Sequence, residues 1–192
     1  MKRRLSDYAH LLLFAGAIVL LDQVSKYLIR ANLAPGEVYR PELWISQYAR
    51  FVHLHNRGAA IGIFPSLGNV FMLLAMLVCV AILYYYPRIP RQDRLLRLSM
   101  AFLLGGALGN LIDRLHQGFV TDFISFLNIP VFNIADLCIP IGVTLLIIGL
   151  WRQERNMGLR QASVERGEDS GDGGQTGRNL TSKPSIEDIR SE

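Results

Sequence analysis

Four aspartates stand where apolar sequence surrounds them: Asp22, Asp113, Asp122 and Asp136. A carboxylate in such surroundings loses the water that stabilises its charge, so each needs a partner or a task. Asp22, in Leu21-Asp-Gln-Val-Ser-Lys26, precedes Lys26 by four residues, which puts both on one helix face where they can pair. Asn110, Asp113 and Arg114 are spaced i, i+3 and i+4 and form one polar stripe. The stripe reads either as an interhelical network or as Asn110 and Arg114 positioning a substrate. Asp136 opens an apolar run in Phe132-Asn-Ile-Ala-Asp136, where it can favour the positive end of a helix dipole with Asn133 as the cap. No such role accounts for Asp122 in Val120-Thr-Asp-Phe-Ile124. Two carboxylates held close in a low-dielectric pocket share a proton. The charged one then takes a proton from water while the neutral one donates to a carbonyl, which is aspartic peptide hydrolysis. Spacing alone does not bring Asp122 to Asp136.

Other chemistries have less to stand on. Ser25 and Lys26 are adjacent, and neighbours on a helix point about 100° apart, which disfavours a Ser-Lys dyad. His53 and His55 share a face of a possible strand, but no HExxH or cysteine cluster completes a metal site. Cys79 and Cys138 both lie in apolar runs, with neither a disulfide framework nor a metal-ligand spacing. No phosphate loop, dinucleotide fingerprint or Gly-x-Ser-x-Gly element is present.

The elements that must position these residues are apolar spans. The chain has 192 residues, 51% of them hydrophobic, and a mean hydropathy of +0.26. Seven Lys/Arg and eight Asp/Glu fall after residue 151, so the remainder is too apolar for a soluble domain. Apolar runs at about 9–29, 70–86, 95–112 and 134–151 are each near the length that crosses a bilayer as a helix. The first is too long, and too polar at its far end, for a cleaved signal peptide. The pI near 9.3 raises nucleic acid as a partner, but the basic residues cluster beside apolar runs, so none is expected. Lys2, Arg3 and Arg4, then Arg88, Arg91, Arg94 and Arg97, then Arg152, Arg155 and Arg160 all fall on one side after four crossings. That asymmetry places both termini in the cytoplasm and the four aspartates near the opposite face. Residues 50–55 partly alternate and are read as a short strand of a small sheet. Residues 115–133 are apolar enough to lie in the membrane interface. Gly105 and Gly109 form a small-xxx-small surface for close helix approach. The membrane domain is placed at 1–155, and residues 156–192, rich in Gly, Ser and charge, are expected to be disordered.

Four blocks of this sequence resemble the lipoprotein signal peptidase (signal peptidase II) family of bacterial membrane aspartic proteases. They are Asp22-Gln-Val-Ser-Lys26; Asn56-Arg-Gly-Ala-Ala60 on to Phe64; Gly105 to Arg114 with Gly118 and Asp122-Phe; and Phe132-Asn-Ile-Ala-Asp136. With the four spans, the likeness covers about residues 9–152. It implies an all-α membrane protein, a four-helix bundle carrying a small extracytoplasmic β-sheet cradle and a short interfacial helix. It implies Asp122 and Asp136 as the catalytic pair, and Asn56, Asn110, Arg114 and Asn133 as residues that line the site and hold the peptide. Asp22 and Lys26 would support the site from the first span, Asp113 would be structural or would support the site from behind its lining residues, and no metal or organic cofactor is implied. The implied substrate is a prolipoprotein whose cysteine carries diacylglycerol, cut just before that cysteine. The implied setting is the bacterial inner membrane, with lipid as the surrounding partner, a monomeric enzyme and sensitivity to globomycin. Thr121 stands where valine is usual in the family, and the charged tail is longer than usual. A small transporter or proton pathway is the runner-up reading, because intramembrane charges also mark ion routes. It expects acids spread through the membrane depth. A non-catalytic assembly protein is a third.

Overall fold

The structure is a computed structural model that describes residues 2–42, 44–58 and 67–169. Four long helices dominate: α1 (Lys2–Asn32), α2 (Leu67–Tyr85), α3 (Arg94–Gln117) and α4 (Ile134–Asp169). Each contains a stretch long and apolar enough to cross a membrane, at Tyr8–Asn32, Gly68–Arg88, Arg94–Gln117 and Ile134–Leu159. The small sheet is three-stranded and antiparallel, in the order β1 (Val38–Tyr39), β2 (Ala49–Asn56), β3 (Val120–Phe126). A short 3₁₀ helix at Trp44–Gln47 lies between β1 and β2. The architecture is therefore the expected four-helix membrane bundle with a small sheet.

Helix α3 is the hub. Fifty-six per cent of its spanning stretch is buried, against 17–22% for the other three. Leu11, Ala15, Cys79, Ile82, Ala101, Leu104 and Ala107 join α1, α2 and α3 in one apolar core, together with Tyr86 just beyond the end of α2. The outer helices turn Leu13, Leu20, Leu77, Val80 and Ile147 outward, more than 60% exposed. Such surface is stable only against hydrocarbon. Close approach to α3 depends on its glycines. A Cβ on Gly105 would stand 2.7 Å from the Ile18 Cβ of α1, and one on Gly106 would stand 2.8 Å from the Ala135 carbonyl of α4. The small-residue surface expected on α3 thus serves two helices at once.

Two expectations need correction. Residues 120–126 do not lie as an interfacial loop; they form β3, and Val120, Thr121, Asp122, Phe123 and Ser125 are all buried. The strand packs on both faces and so lacks the polar-apolar alternation that marks a half-exposed strand. The second concerns the tail. Helix α4 continues to Asp169, where disorder was expected from residue 156. Arg, Gln, Glu, Met, Leu and Ala dominate that stretch and favour helix strongly enough to offset Gly158 and Gly167. By contact density the chain divides into two units, residues 1–151 and 152–192. The rest of the expected disordered tail, 170–192, lies outside the described residues, as do Ala59, Ala60 and the segment to Phe64.

Candidate active site

The sequence brings Asp136 back to Asp122 through a short reversal. Helix α3 ends at Gly118, whose φ of 77° is left-handed and whose N–H donates to the Arg114 carbonyl. The chain enters β3 two residues later. Beyond β3 it turns, and Phe132 pairs with Ile124 through bonds in both directions. That pairing sets Asn133 beside Asp122 and starts α4 at Ile134. Strand β2 supplies the other flank: Leu54 lies opposite Asp122, and Asn56 is its diagonal neighbour.

Asn133 joins the two aspartates. Its side-chain amide donates to Asp122 Oδ1 at 2.7 Å, and its Oδ1 accepts from the Asp136 backbone N–H at 3.0 Å. In return its own N–H donates to Asp136 Oδ2 at 3.3 Å. This is a reciprocal N-terminal box, in which cap and third residue satisfy each other's orphan groups. The capping role expected for Asn133 is therefore present, and the bond to Asp122 goes beyond it. Asn110 forms a second link: its amide donates to Asp136 Oδ1 at 2.7 Å, while its Oδ1 accepts from Asn133 at 3.1 Å and from Lys26 at 3.0 Å. Asn56 donates to Asp122 Oδ2 at 2.9 Å.

Beneath this layer lies a buried ionic cluster. The Lys26 ammonium reaches Asp22 at 2.8 Å and Asp113 at 3.1 Å, all three side chains being inaccessible to solvent. With Asn110 as third partner, every Lys26 proton is used. Asp22 also accepts from the Ala135 N–H at 3.0 Å, so a carboxylate of α1 satisfies a free donor at the start of α4. Asp113 accepts from the Thr121 N–H at 3.0 Å, which fixes β3 to α3 one residue before Asp122. The i, i+4 pair read from the sequence is present, and it belongs to a four-element junction.

Two contributors escaped the sequence reading. Gln23 donates to Asp22 Oδ2, to the Gly109 carbonyl and to Asp113 Oδ1. Arg30 reaches Thr121 Oγ1 at 3.1 Å and Asp113 at 3.8 Å. Their signal was present: a glutamine inside an apolar span needs partners as much as an aspartate does. Arg114 sits differently, bonding only weakly to the Asn110 carbonyl at 3.4 Å and lining a cavity.

That cavity, about 380 Å³, is polar at one end, with Asn56, Asn110, Arg114 and Asp136, and apolar along α2 and α3, with Phe71, Leu74, Val78 and Leu103. Asp136 opens onto it. Asp122 lies behind Asn56 and Asn133, 3% exposed. Burial first, and the neighbouring Asp136 second, push the Asp122 carboxyl up to about 6, against the lowering effect of its bonds from Asn56 and Asn133. Counted formally, Asp22, Asp113, Asp122 and Asp136 exceed Lys26, Arg30 and Arg114 by one negative charge, which a single bound proton removes. Among the described residues, no group of three or more His, Cys, Asp or Glu is placed to hold a metal ion.

Fold and site together define a polytopic membrane protein with a carboxylate-asparagine cluster at one end of its bundle. Comparison with known proteins gives the family. The family described as Signal peptidase (SPase) II matches residues 14–152. The lipoprotein signal peptidase of Moorella thermoacetica is 44% identical over 135 residues, covering 70% of this chain and 88% of that protein. That of Halothermothrix orenii is 38% identical, covering 72% and 92%. A solved bacterial membrane enzyme, determined by the in meso method at 2.3 Å resolution, superposes with a TM-score of 0.69 at 32% identity, over 77% of this chain and 91% of that one. The chain belongs to the signal peptidase II family and is a multi-pass membrane peptidase.

Proposed function

We propose that the chain is an aspartic endopeptidase that removes the signal peptide of a diacylglyceryl-modified prolipoprotein, cutting before the lipidated cysteine. One observation carries the reading: Asp122 and Asp136 are joined through Asn133, which Asn110 also bridges to Asp136, beside a cavity with a polar head and an apolar wall. In this account Asp122, the more buried of the two, holds the shared proton, and Asp136, facing the cavity, is the charged partner. Asp136 takes a proton from water as the water oxygen bonds to the scissile carbonyl carbon, and Asp122 gives its proton to the carbonyl oxygen. The resulting gem-diol returns one hydroxyl proton to Asp122 while Asp136 protonates the departing nitrogen, and the C–N bond breaks. Both carboxyls end as they began. Arg114, Asn56 and Asn110 hold the peptide, Lys26 and Asp22 fix the start of α4, and Asp113 anchors β3.

The apolar wall gives the substrate's acyl chains a path that never leaves lipid. In the orientation favoured by the basic flanks, the site lies at the outer face of the bacterial inner membrane, where a lipidated cysteine is anchored, and both termini are cytoplasmic. The enzyme acts as a monomer and is blocked by globomycin. The test offers purified protein in lipid a diacylglyceryl-modified prolipoprotein and its unlipidated counterpart, with products identified by mass. Cleavage only of the lipidated form, at the bond before cysteine, is expected. Absence of cleavage together with ion flux in proteoliposomes would replace this reading with the transporter one.

A further inference from the structure

A second cavity, about 510 Å³, lies between the starts of α1 and α3. Counting helix rise at ~1.5 Å per residue, it is some ~20 Å along the bundle from the aspartates, so it takes no part in their chemistry. Its rim carries Arg91, Arg94 and Arg97 together with His10. Its inner wall is apolar, built from Leu11 and Phe14 of α1 and Leu98 of α3. Arg97 is held in place, its guanidinium 4.3 Å from the centre of the Tyr86 ring and its Nη1 bonded to the Ile89 carbonyl. Arg91 and Arg94 are exposed. The spanning stretches of α1 and α3 begin at Tyr8 and Arg94, so the rim falls at the boundary between hydrocarbon and water.

Charge sorting across a membrane accounts for basic residues at this end of the bundle. It does not account for a cavity that has guanidiniums at its mouth and an aliphatic and aromatic floor. We infer that this cavity binds a glycerophospholipid of net negative head group, its phosphodiester between the arginines and an acyl chain against Phe14 and Leu98. Guanidinium matches phosphate oxygens in charge and in its forked geometry, and basic pockets between spanning helices are suited to anionic head groups. A zwitterionic lipid would bring its own cation against the arginines and is disfavoured. Such a site requires only a membrane-embedded chain, and its failure would leave the peptidase reading untouched.

The experiment is native mass spectrometry of delipidated protein to which phosphatidylglycerol, phosphatidylcholine or inorganic phosphate is added. Wild type is expected to retain one phosphatidylglycerol in clear preference to phosphatidylcholine. An Arg91→Gln/Arg94→Gln variant, altered only at exposed positions, should lose about tenfold in phosphatidylglycerol retention, the scale of one charge-assisted bond. Phe14→Ala should weaken retention without changing the preference between the two lipids. Thermal unfolding in detergent reports independently: phosphatidylglycerol should raise the midpoint of wild type and leave the double variant unmoved. Equal retention of both lipids, or unchanged retention by the double variant, overturns the site. Displacement of the lipid by inorganic phosphate as effective as by free phosphatidylglycerol would reduce it to a bare anion site and also overturn it.

Discussion

At the scale of single residues, opposing influences act on one carboxyl of the candidate site. Burial and the charge of Asp136 raise Asp122 to about 6, while bonds donated by Asn56 and Asn133 pull it down. The protonated form therefore persists to higher pH than in a free aspartate, and the proposed reaction needs that proton. Activity should fall as pH rises through about 6, with the apparent value belonging to the pair. Asn56→Ala removes a bond that favours the charged form, so the alkaline limb of the kcat profile should move upward. A pH-rate series on the two proteins checks both statements, and a limb that stays put or moves down contradicts them. Lys26 offers a second test. It pairs with both buried Asp22 and buried Asp113, and Lys26→Met strands Asp22 and leaves Asp113 only the longer contact to Arg30. Removing one partner of a buried pair costs about 3–5 kcal/mol, visible as a large drop in the thermal unfolding midpoint in detergent.

At the scale of elements, glycine and strand geometry decide who meets whom. A Cβ on Gly109 would stand 2.6 Å from Asp22 Oδ2 and 3.2 Å from the Ala135 Cβ. Asp22 cannot yield easily, being held by Lys26, Gln23 and Ala135. Gly109→Ala should therefore destabilise by about 1–3 kcal/mol, the usual penalty of overpacking, whereas Gly118, with open space around it, is constrained only by its left-handed φ. Comparative unfolding of Gly109→Ala and wild type measures this. Strand β2 carries a further device. His53 Nδ1 meets the Leu33 carbonyl at 2.8 Å, and its Nε2 lies 3.2 Å from His55 Nε2. Burial, then His53 and then Arg57, lower His55. A lowered histidine binds fewer protons folded than unfolded, so its stabilisation is present at neutral pH and fades as pH falls below the ordinary histidine range near 6.5. Amide exchange in β2, corrected for intrinsic rate, should accelerate on acidification, and His55→Gln should remove the effect. The helices were legible because their apolar length is a strong signal, and Asp22–Lys26 because helical spacing fixes the pair. Strand β3 was not, because burial on both faces erases alternation. The meeting of Asp122 with Asp136 depends on Phe132 pairing with Ile124, a contact that no periodicity records.

At the scale of the whole molecule, a thin core around α3 carries a polar junction within a coat of outward apolar side chains. That coat requires hydrocarbon. Leu77, 65% exposed and in the middle of α2, is not among the residues lining the candidate site. Leu77→Arg should lower the insertion efficiency of that span by about 2.5–3.5 kcal/mol on a translocon scale, and an insertion reporter fused to α2 would read it. Asp22, Asp113, Asp122 and Asp136 converge at one end of the bundle rather than along a path through it, which favours the proposed hydrolytic site over an ion route. The central claim is that Asp122 and Asp136 act as one proton-sharing pair, and one measurement addresses it most directly. Single-turnover cleavage of a diacylglyceryl-modified prolipoprotein is compared for wild type, Asp122→Asn and Asp136→Asn, with thermal unfolding recorded on each preparation. The account predicts that both variants fold and that each loses activity by about 10³-fold or more, within the range attributed to a positioned acid or base. A folded variant of either aspartate that still cleaves at a rate near wild type would contradict it.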